Sequence, residues 1–121
     1  MEDKLQELKE SLSGDLFFDK KMRLLYATDA SAYRDMPLAV AIPKSEEDIQ
    51  KLISFAHAND TSLIPRTAGT SLAYQVVGKG IIVDVSKHFT QILEVNKEEQ
   101  WVRVQPGVIR DELNLFLKSY D

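Results

Sequence analysis

The chain has 121 residues, 44% of them apolar and 28% charged, which is the size and balance of one small globular domain with a modest core. A net charge of −4 without any basic run argues against a nucleic-acid partner, and the absence of cysteine removes disulfides, thiolate metal sites and thiol catalysis while leaving the redox compartment open. No apolar run approaches the ~20 residues needed to cross a bilayer, and the acidic start Met1-Glu2-Asp3-Lys4 lacks a signal peptide's basic and apolar regions, so a cytoplasmic location with no membrane span is the expectation.

In chain order, Leu5, Leu8 and Leu12 recur at spacings of three and four among charged residues, which predicts an amphipathic helix over 2–13 with Gly14 as its stop. Leu16-Phe17-Phe18 and Met22 to Tyr26 form a second apolar cluster of undetermined form. Thr28 to Tyr33 reads as an ordered loop, its polar atoms bonding local backbone and its aromatics packed against the domain. Leu38 to Pro43 is a short strand ended by Pro43, which removes a ladder donor. Ser45 is an N-cap with Asp48 in the capping-box position and Glu46 and Glu47 in the first turn. The helix that follows carries Ile49, Leu52, Ile53 and Ala56 on one face and closes at Asn59-Asp60.

Ser62 to Pro65 is a second strand, and strand–helix–strand favours a parallel pair joined by a right-handed crossover. At its carboxyl end, where α/β sheets usually bind ligands, comes Arg66-Thr67-Ala68-Gly69-Thr70-Ser71-Leu72, a bend of small residues and hydroxyls. Such a bend brings backbone N–H groups, with the hydroxyls of Thr67, Thr70 and Ser71, to a concave anion-accepting surface. An ordinary tight turn is the competing reading of this loop alone. Gly80 to Val85 is a buried strand, and Ile92 to Val95 with Gln100 to Gln105 is a hairpin in which Val102 and Val104 alternate with Trp101 and Arg103. Pro106-Gly107 breaks that strand. A last helix over 108–119 places Ile109, Leu113, Phe116, Leu117 and Tyr120 on one stripe, and its abrupt end points to part of something longer. The sum is one α+β unit, a small mixed β-sheet packed with about three helices.

Other motifs are weak. Gly78-Lys79 is not a P-loop, because Gly80 follows where Ser or Thr must hold magnesium and eight residues separate Gly69 from Gly78. No G-x-G-x-x-G is present, which argues against a nicotinamide site. His57 on the solvent side of a helix and His88 in a loop are lone histidines, and no metal spacing exists. Asp111 and Glu112 suit the first turn of the last helix, and Asp84 reads as a strand carboxylate with a satisfied partner. The aromatics Phe17, Phe18, Tyr26, Tyr33 and Trp101 are scattered, which favours packing over a stacking platform. No catalytic residue stands out.

Taken together, Ile64 to Ala73, Gly80 to Ser86, Ile92 to Val95 and Val102 to Val108, in this order and spacing, resemble the amino-terminal half of a PCMH-type FAD-binding domain. This is the family of FAD-linked oxidases and dehydrogenases that includes vanillyl-alcohol oxidase, the glycolate oxidase flavin subunit and D-lactate dehydrogenase. Tyr33, Pro37 and Pro43-Lys44-Ser45 also fit, so the resemblance covers about residues 26 to 118. It implies a helical and loop lead-in over 1–36 and the amino-terminal subdomain over 37–121. It also implies cofactor contacts at Pro65, Arg66, Thr67, Ala68, Gly69, Thr70, Ser71, Leu72 and Gln75, with Pro106, Gly107 and Val108 lining the cleft.

Some family members attach flavin through a histidine in this loop. Thr70 holds that place here, which implies non-covalent FAD. Tyr74 stands where many relatives have glycine. The resemblance implies a parent enzyme that oxidises a 2-hydroxy acid, of the lactate, glycolate or 2-hydroxyglutarate type, by hydride transfer to FAD and passes electrons to an acceptor or iron–sulfur partner. The family's second flavin-binding segment and substrate cap lie beyond these residues, so this chain alone is expected to be inactive, to bind FAD weakly or not at all, and to self-associate through its uncovered surface. A stand-alone interaction domain on the same scaffold, without cofactor, is the alternative.

Overall fold

In the computed structural model, which describes residues 1–120, the chain runs α1 (Glu2–Ser11), β1 (Asp15–Phe17), α2 (Lys20–Leu25), β2 (Ala39–Ile42), α3 (Glu46–Ala58), β3 (Leu63–Arg66), β4 (Ile81–Asp84), β5 (Ile92–Asn96), β6 (Trp101–Val104) and α4 (Arg110–Leu117), closed by a 3-10 turn over Lys118–Tyr120. The class is α+β with a mixed sheet, and there are four α-helices where about three were expected. Among the described residues no helix is long and apolar enough to cross a membrane.

Four strands pair in the order β1-β2-β4-β3, with β2 and β3 parallel to β4 and β1 antiparallel to β2. Every position of β4 is buried, which is why its sequence is an unbroken run of aliphatics up to Asp84. Pro65 supplies no ladder N–H, so the strand that carries it belongs on an edge. These two facts correct the expectation of a directly paired β2 and β3: they run in the same direction, but β4 lies between them.

The cluster at Leu16 resolves into edge strand β1, and Met22 falls in α2, whose first turn is capped by the Asp19 carboxylate accepting from the Met22 amide. The hairpin β5–β6 is a separate two-stranded sheet, with Val102 and Val104 half-buried and Trp101 and Arg103 exposed. The last helix is shorter than the 108–119 expected and buries none of its residues.

One sheet face carries Ala39, Ala41, Ile81 and Val83 against Leu5, Leu8 and Leu12 of the first segment and Leu52 of α3. The buried row of α3 is Asp48, Leu52 and Ala56, and Ile53, expected on that face, is 54% exposed. The row turned because Asp48 is itself drawn inward, to 1% exposure. Ser45 caps the helix as expected, its hydroxyl accepting from the Asp48 amide at 3.2 Å. The Asp48 carboxylate does not complete a capping box. It accepts from the N–H of Lys44 at 2.9 Å, the N–H and hydroxyl of Ser13 at 2.8 Å each, and the N–H of Gly14 at 2.9 Å.

Burial works to raise the Asp48 pKa, but the hydrogen bonds from Lys44, Ser13 and Gly14 to the charged form outweigh it and hold the carboxyl below its ordinary value of 3.8. A depressed native pKa gives stabilisation that is complete above the ordinary value and is lost as pH falls through the native one. Asp48→Ala leaves three backbone amides without their acceptor and is expected to lower the unfolding free energy by about 3 kcal/mol at neutral pH. The gap to the unmodified chain should narrow below about pH 4, and urea midpoints at pH 7 and pH 3 check both statements.

Candidate functional site

Because β3 and β4 are parallel and in register from Leu63 and Ile81 to Arg66 and Asp84, the segments that leave them emerge side by side at one edge of the sheet. Beyond Arg66 the chain bends at Gly69, whose φ of 69° only glycine adopts without strain. Among the described residues, no protein acceptor takes an N–H from residues 67–72. Two carbonyls of the bend are anchored instead: Ala30 donates to Gly69 O at 3.0 Å and Val85 to Arg66 O at 3.0 Å. The bend is therefore tied down through acceptors while its donors stay free. That is the polarity a diphosphate requires.

The Pro106-Gly107-Val108 turn closes on the same edge. Gly107 is buried, and a Cβ there would lie 2.5 Å from Phe89 O and 2.7 Å from Val85 O. Its N–H donates to Phe89 O at 2.7 Å, and that of Val108 to Gln105 O at 3.1 Å, so this turn offers wall and no free donor. Between bend and turn lies a cavity of about 490 Å³, with Thr67 and Ala68 on one side, Pro106, Gly107 and Val108 on the other, and Ser86, Ile109 and Arg110 completing it.

The remaining residues selected from sequence lie around this cleft. Pro65 is exposed on the edge strand, and Gly69 and Thr70 stand on the bend. The Ser71 hydroxyl donates to Gln75 Oε1, which folds the bend back on itself. Leu72, 77% exposed, lines a second cavity of about 610 Å³ with Tyr33, Arg34 and Tyr74. Arg66 turns beneath the bend: Nη1 donates to the carbonyls of Tyr26 and Val76 at 3.4 Å each, and the guanidinium lies 5.2 Å from the Tyr26 ring centre. A Cβ on Gly69 would meet its Nη2 at 2.5 Å, so this arginine supports the bend from below.

Asp84 has the satisfied partners expected of it, accepting from the Tyr26 hydroxyl at 2.5 Å and from the Ser86 amide and hydroxyl at 2.9 and 2.6 Å. Burial, then the bond to Asp84, pushes the Tyr26 phenol up to about 12, so it stays protonated at physiological pH. The Ser31 hydroxyl holds the Asp29 carboxyl below its usual range, and the Arg66 charge adds to the effect. Its second oxygen is buried and has no hydrogen-bond partner among the described residues.

Tyr74 sits at φ 64°, a left-handed conformation that costs a non-glycine residue about 1–2 kcal/mol. Its ring meets Tyr33 edge-on, with centroids 5.0 Å apart. Tyr33 is 56% exposed, which corrects the expectation that it packs against the domain: Tyr74 is its aromatic partner and the rest of the ring faces solvent. Sequence reasoning passed over Ser86 and Arg110. Ser86 had a signal in Asp84-Val85-Ser86, a carboxylate two residues before its turn partner. Arg110, the one charged residue among the described residues that line the cleft, had none.

The family described as FAD binding domain matches residues 37–121. Over 122 residues the chain is 41% identical to D-2-hydroxyglutarate dehydrogenase of Haemophilus influenzae, covering 98% of this chain and 12% of that protein. It is 42% identical over 120 residues to the Escherichia coli D-2-hydroxyglutarate dehydrogenase, with 96% and 12% covered, and 35% identical over 111 residues to glycolate oxidase subunit GlcD of Bacillus subtilis, with 86% and 24% covered. The chain thus spans 12% of the length of the two dehydrogenases. The fold matches 4-ethylphenol oxidase from Gulosibacter chungangensis at a TM-score of 0.81 and 20% identity, covering 98% of this chain and 24% of that one. An alkyldihydroxyacetonephosphate synthase matches at 0.80 and 21%, with 98% and 25% covered.

Two glycines carry the local geometry, and they should respond differently to a methyl group. Gly107→Ala drives Cβ into two backbone carbonyls that cannot move independently and is expected to remove about 2 kcal/mol. Gly69→Ala meets the flexible end of Arg66 and a left-handed φ, for about 1–2 kcal/mol. Thermal unfolding of the two variants should rank Gly107→Ala as the more damaging.

Proposed function

Since the chain belongs to the FAD binding domain family, with FAD as its cofactor, we propose that it forms the amino-terminal part of an FAD-linked dehydrogenase that oxidises a 2-hydroxy acid. The observation that carries this reading is the row of unpaired amides over residues 67–72 beside a cleft walled by Pro106-Gly107-Val108. In it, the N–H groups of Thr67 to Leu72 hold the FAD pyrophosphate, with the Thr70 hydroxyl as a further donor and the wall turn closing the far side. Pro65, Arg66 and Gln75 act as the bend's supports, and Ser71 is spent on Gln75. FAD, when bound, supplies a two-electron acceptor for the hydride leaving the hydroxyl-bearing carbon. The electrons would pass to a separate acceptor, for which an iron–sulfur partner or domain is one proposal.

Substrates of this class are named for the relatives, as 2-hydroxyglutarate and glycolate. A ligand of this size is normally enclosed over most of its surface, which the bend and the wall turn alone do not provide. On this reading the isolated chain binds FAD weakly or not at all. Ile109, Leu115 and Phe116 are exposed on or beside α4, at 58%, 63% and 45%, as a surface for self-association.

The protein produced with its downstream sequence is expected to purify yellow, to release FAD on acid precipitation because Thr70 offers no covalent link, and to lose its yellow band anaerobically on addition of 2-hydroxyglutarate, lactate or glycolate. A colourless protein after reconstitution with FAD would overturn the proposal. For the isolated chain, sedimentation velocity should show mass above 13.7 kDa at high concentration, and a clean monomer at every concentration would remove the self-association reading.

A further inference from the structure

The segment Tyr26–Tyr33 precedes the stretch matched by the family, yet it touches the cofactor bend from one end to the other. Its own shape is fixed. Thr28 bridges to Arg34, the Asp35 amide donates to Ala27 O at 3.0 Å, and the Ser31 amide donates to Asp29 Oδ1 at 2.7 Å. Ala27 is fully buried and roots the segment in the domain. From this closed loop three contacts reach the bend. The Tyr26 carbonyl accepts from Arg66 Nη1 at the start of the bend, the Ala30 amide donates to Gly69 O at its apex, and the Tyr33 ring meets Tyr74 beyond its end. Tyr26 is itself fastened to Asp84 at the end of β4.

The middle contact sets the direction. A peptide unit carries its N–H and C=O on opposite sides, so drawing the Gly69 carbonyl toward Ala30 turns the amide of Thr70, which shares that unit, away from the protein. The arginine below and the aromatic pair at the end leave the flanking units little room to rotate. Without these contacts a bend of small residues with unpaired amides keeps only the Ser71–Gln75 bond and its root at Arg66 O to hold its orientation, and ordering it on ligand binding would cost affinity.

We infer that Tyr26–Tyr33 is a positioning strap, which holds the 67–72 bend with its amides aimed outward and so preorganises the pyrophosphate cradle. The inference rests on the cofactor reading given above, and its test separates the two.

In the 121-residue chain, the backbone 15N heteronuclear NOE of residues 67–72 reports the order of the bend without any ligand. Ala30→Pro deletes the donor to Gly69 O, and Tyr33→Ala deletes the ring against Tyr74. Either should lower the NOE of the bend while the sheet keeps its values, whereas the core variant Ile81→Val should lower the melting temperature and leave the bend ordered. If Ala30→Pro does not fold, Tyr33→Ala, at an exposed position, still decides. In the protein carrying its downstream sequence, the strap variants should raise the dissociation constant for FAD about tenfold. An unchanged NOE over 67–72 in the strap variants overturns the strap. A loosened bend with FAD affinity intact upholds the strap as the device that orders the bend and overturns the bend's role as the cofactor cradle.

Discussion

The parallel pairing of β3 with β4 is the constraint on which the rest of the molecule depends. Were these strands antiparallel, the bend after Arg66 and the turn after Asp84 would leave opposite ends of the sheet and no shared cleft would exist. Pairing from Leu63 and Ile81 to Arg66 and Asp84 brings them out together, and the Val85 amide extends the ladder by donating to Arg66 O. The Pro106-Gly107 turn then docks through Gly107, which comes so near Phe89 O and Val85 O that only a residue without Cβ fits. The separate hairpin is placed by this contact, and the Gln105 amide donating to Gln91 O extends the hairpin's own ladder by one rung. It needs no membership of the main sheet.

Two buried carboxylates do comparable work on the lead-in. Asp48 gathers the amides of Ser13 and Gly14 at the entrance to β1, and Asp84 takes the hydroxyl of Tyr26 at the end of α2. Each is a charge removed from water and compensated by neutral donors, an arrangement that stabilises only when every donor is present. The consequence is that residues 1–36 are part of the same packed unit as the sheet. Leu5, Leu8 and Leu16 lie in its core, and β1 is one of its strands. The bend is supported from this side, by Tyr26 and Ala30, and from its own strand, by Arg66.

Much of this was legible in the residues because local chemistry and tertiary packing agree. Ser45 caps where a hydroxyl precedes an acidic first turn, a bend forms at Gly69 where small residues follow a strand, and Asp84 finds partners as a carboxylate after buried aliphatics must. The misreadings share one cause, which is that strand neighbours and helix rotation are set by contacts distant in sequence. Nothing near Ser62 announces that β4 will insert between β2 and β3. Ile53 fits the α3 stripe by spacing, and it is exposed because Asp48 is pulled inward by Ser13 and Gly14, some thirty-five positions away. The family resemblance marked Arg66 as a position in the site and singled out Tyr74 only as standing where many relatives have glycine. Only coordinates show that one supports the bend from beneath and that the other accepts a strained φ beside Tyr33.

Recognition through main-chain donors shapes which residues such a cleft can vary. An amide donates equally well from Thr67, Ala68 or Thr70, so side-chain identity at these exposed positions matters less than the dihedral angles that aim the peptide units. Those angles are fixed by the groups at Gly69, Arg66 and Ala30, and neither Arg66 nor Ala30 has to touch a ligand. A side-chain cation would attract a diphosphate strongly but without direction, whereas a row of amides is directional and carries only partial charge. With Arg110 the one charged residue on the cleft wall among the described residues and a net charge of −4 on the chain, long-range attraction contributes little here. Affinity in such a site has to come from alignment and enclosure. The strap supplies alignment within these residues, and enclosure requires a second wall.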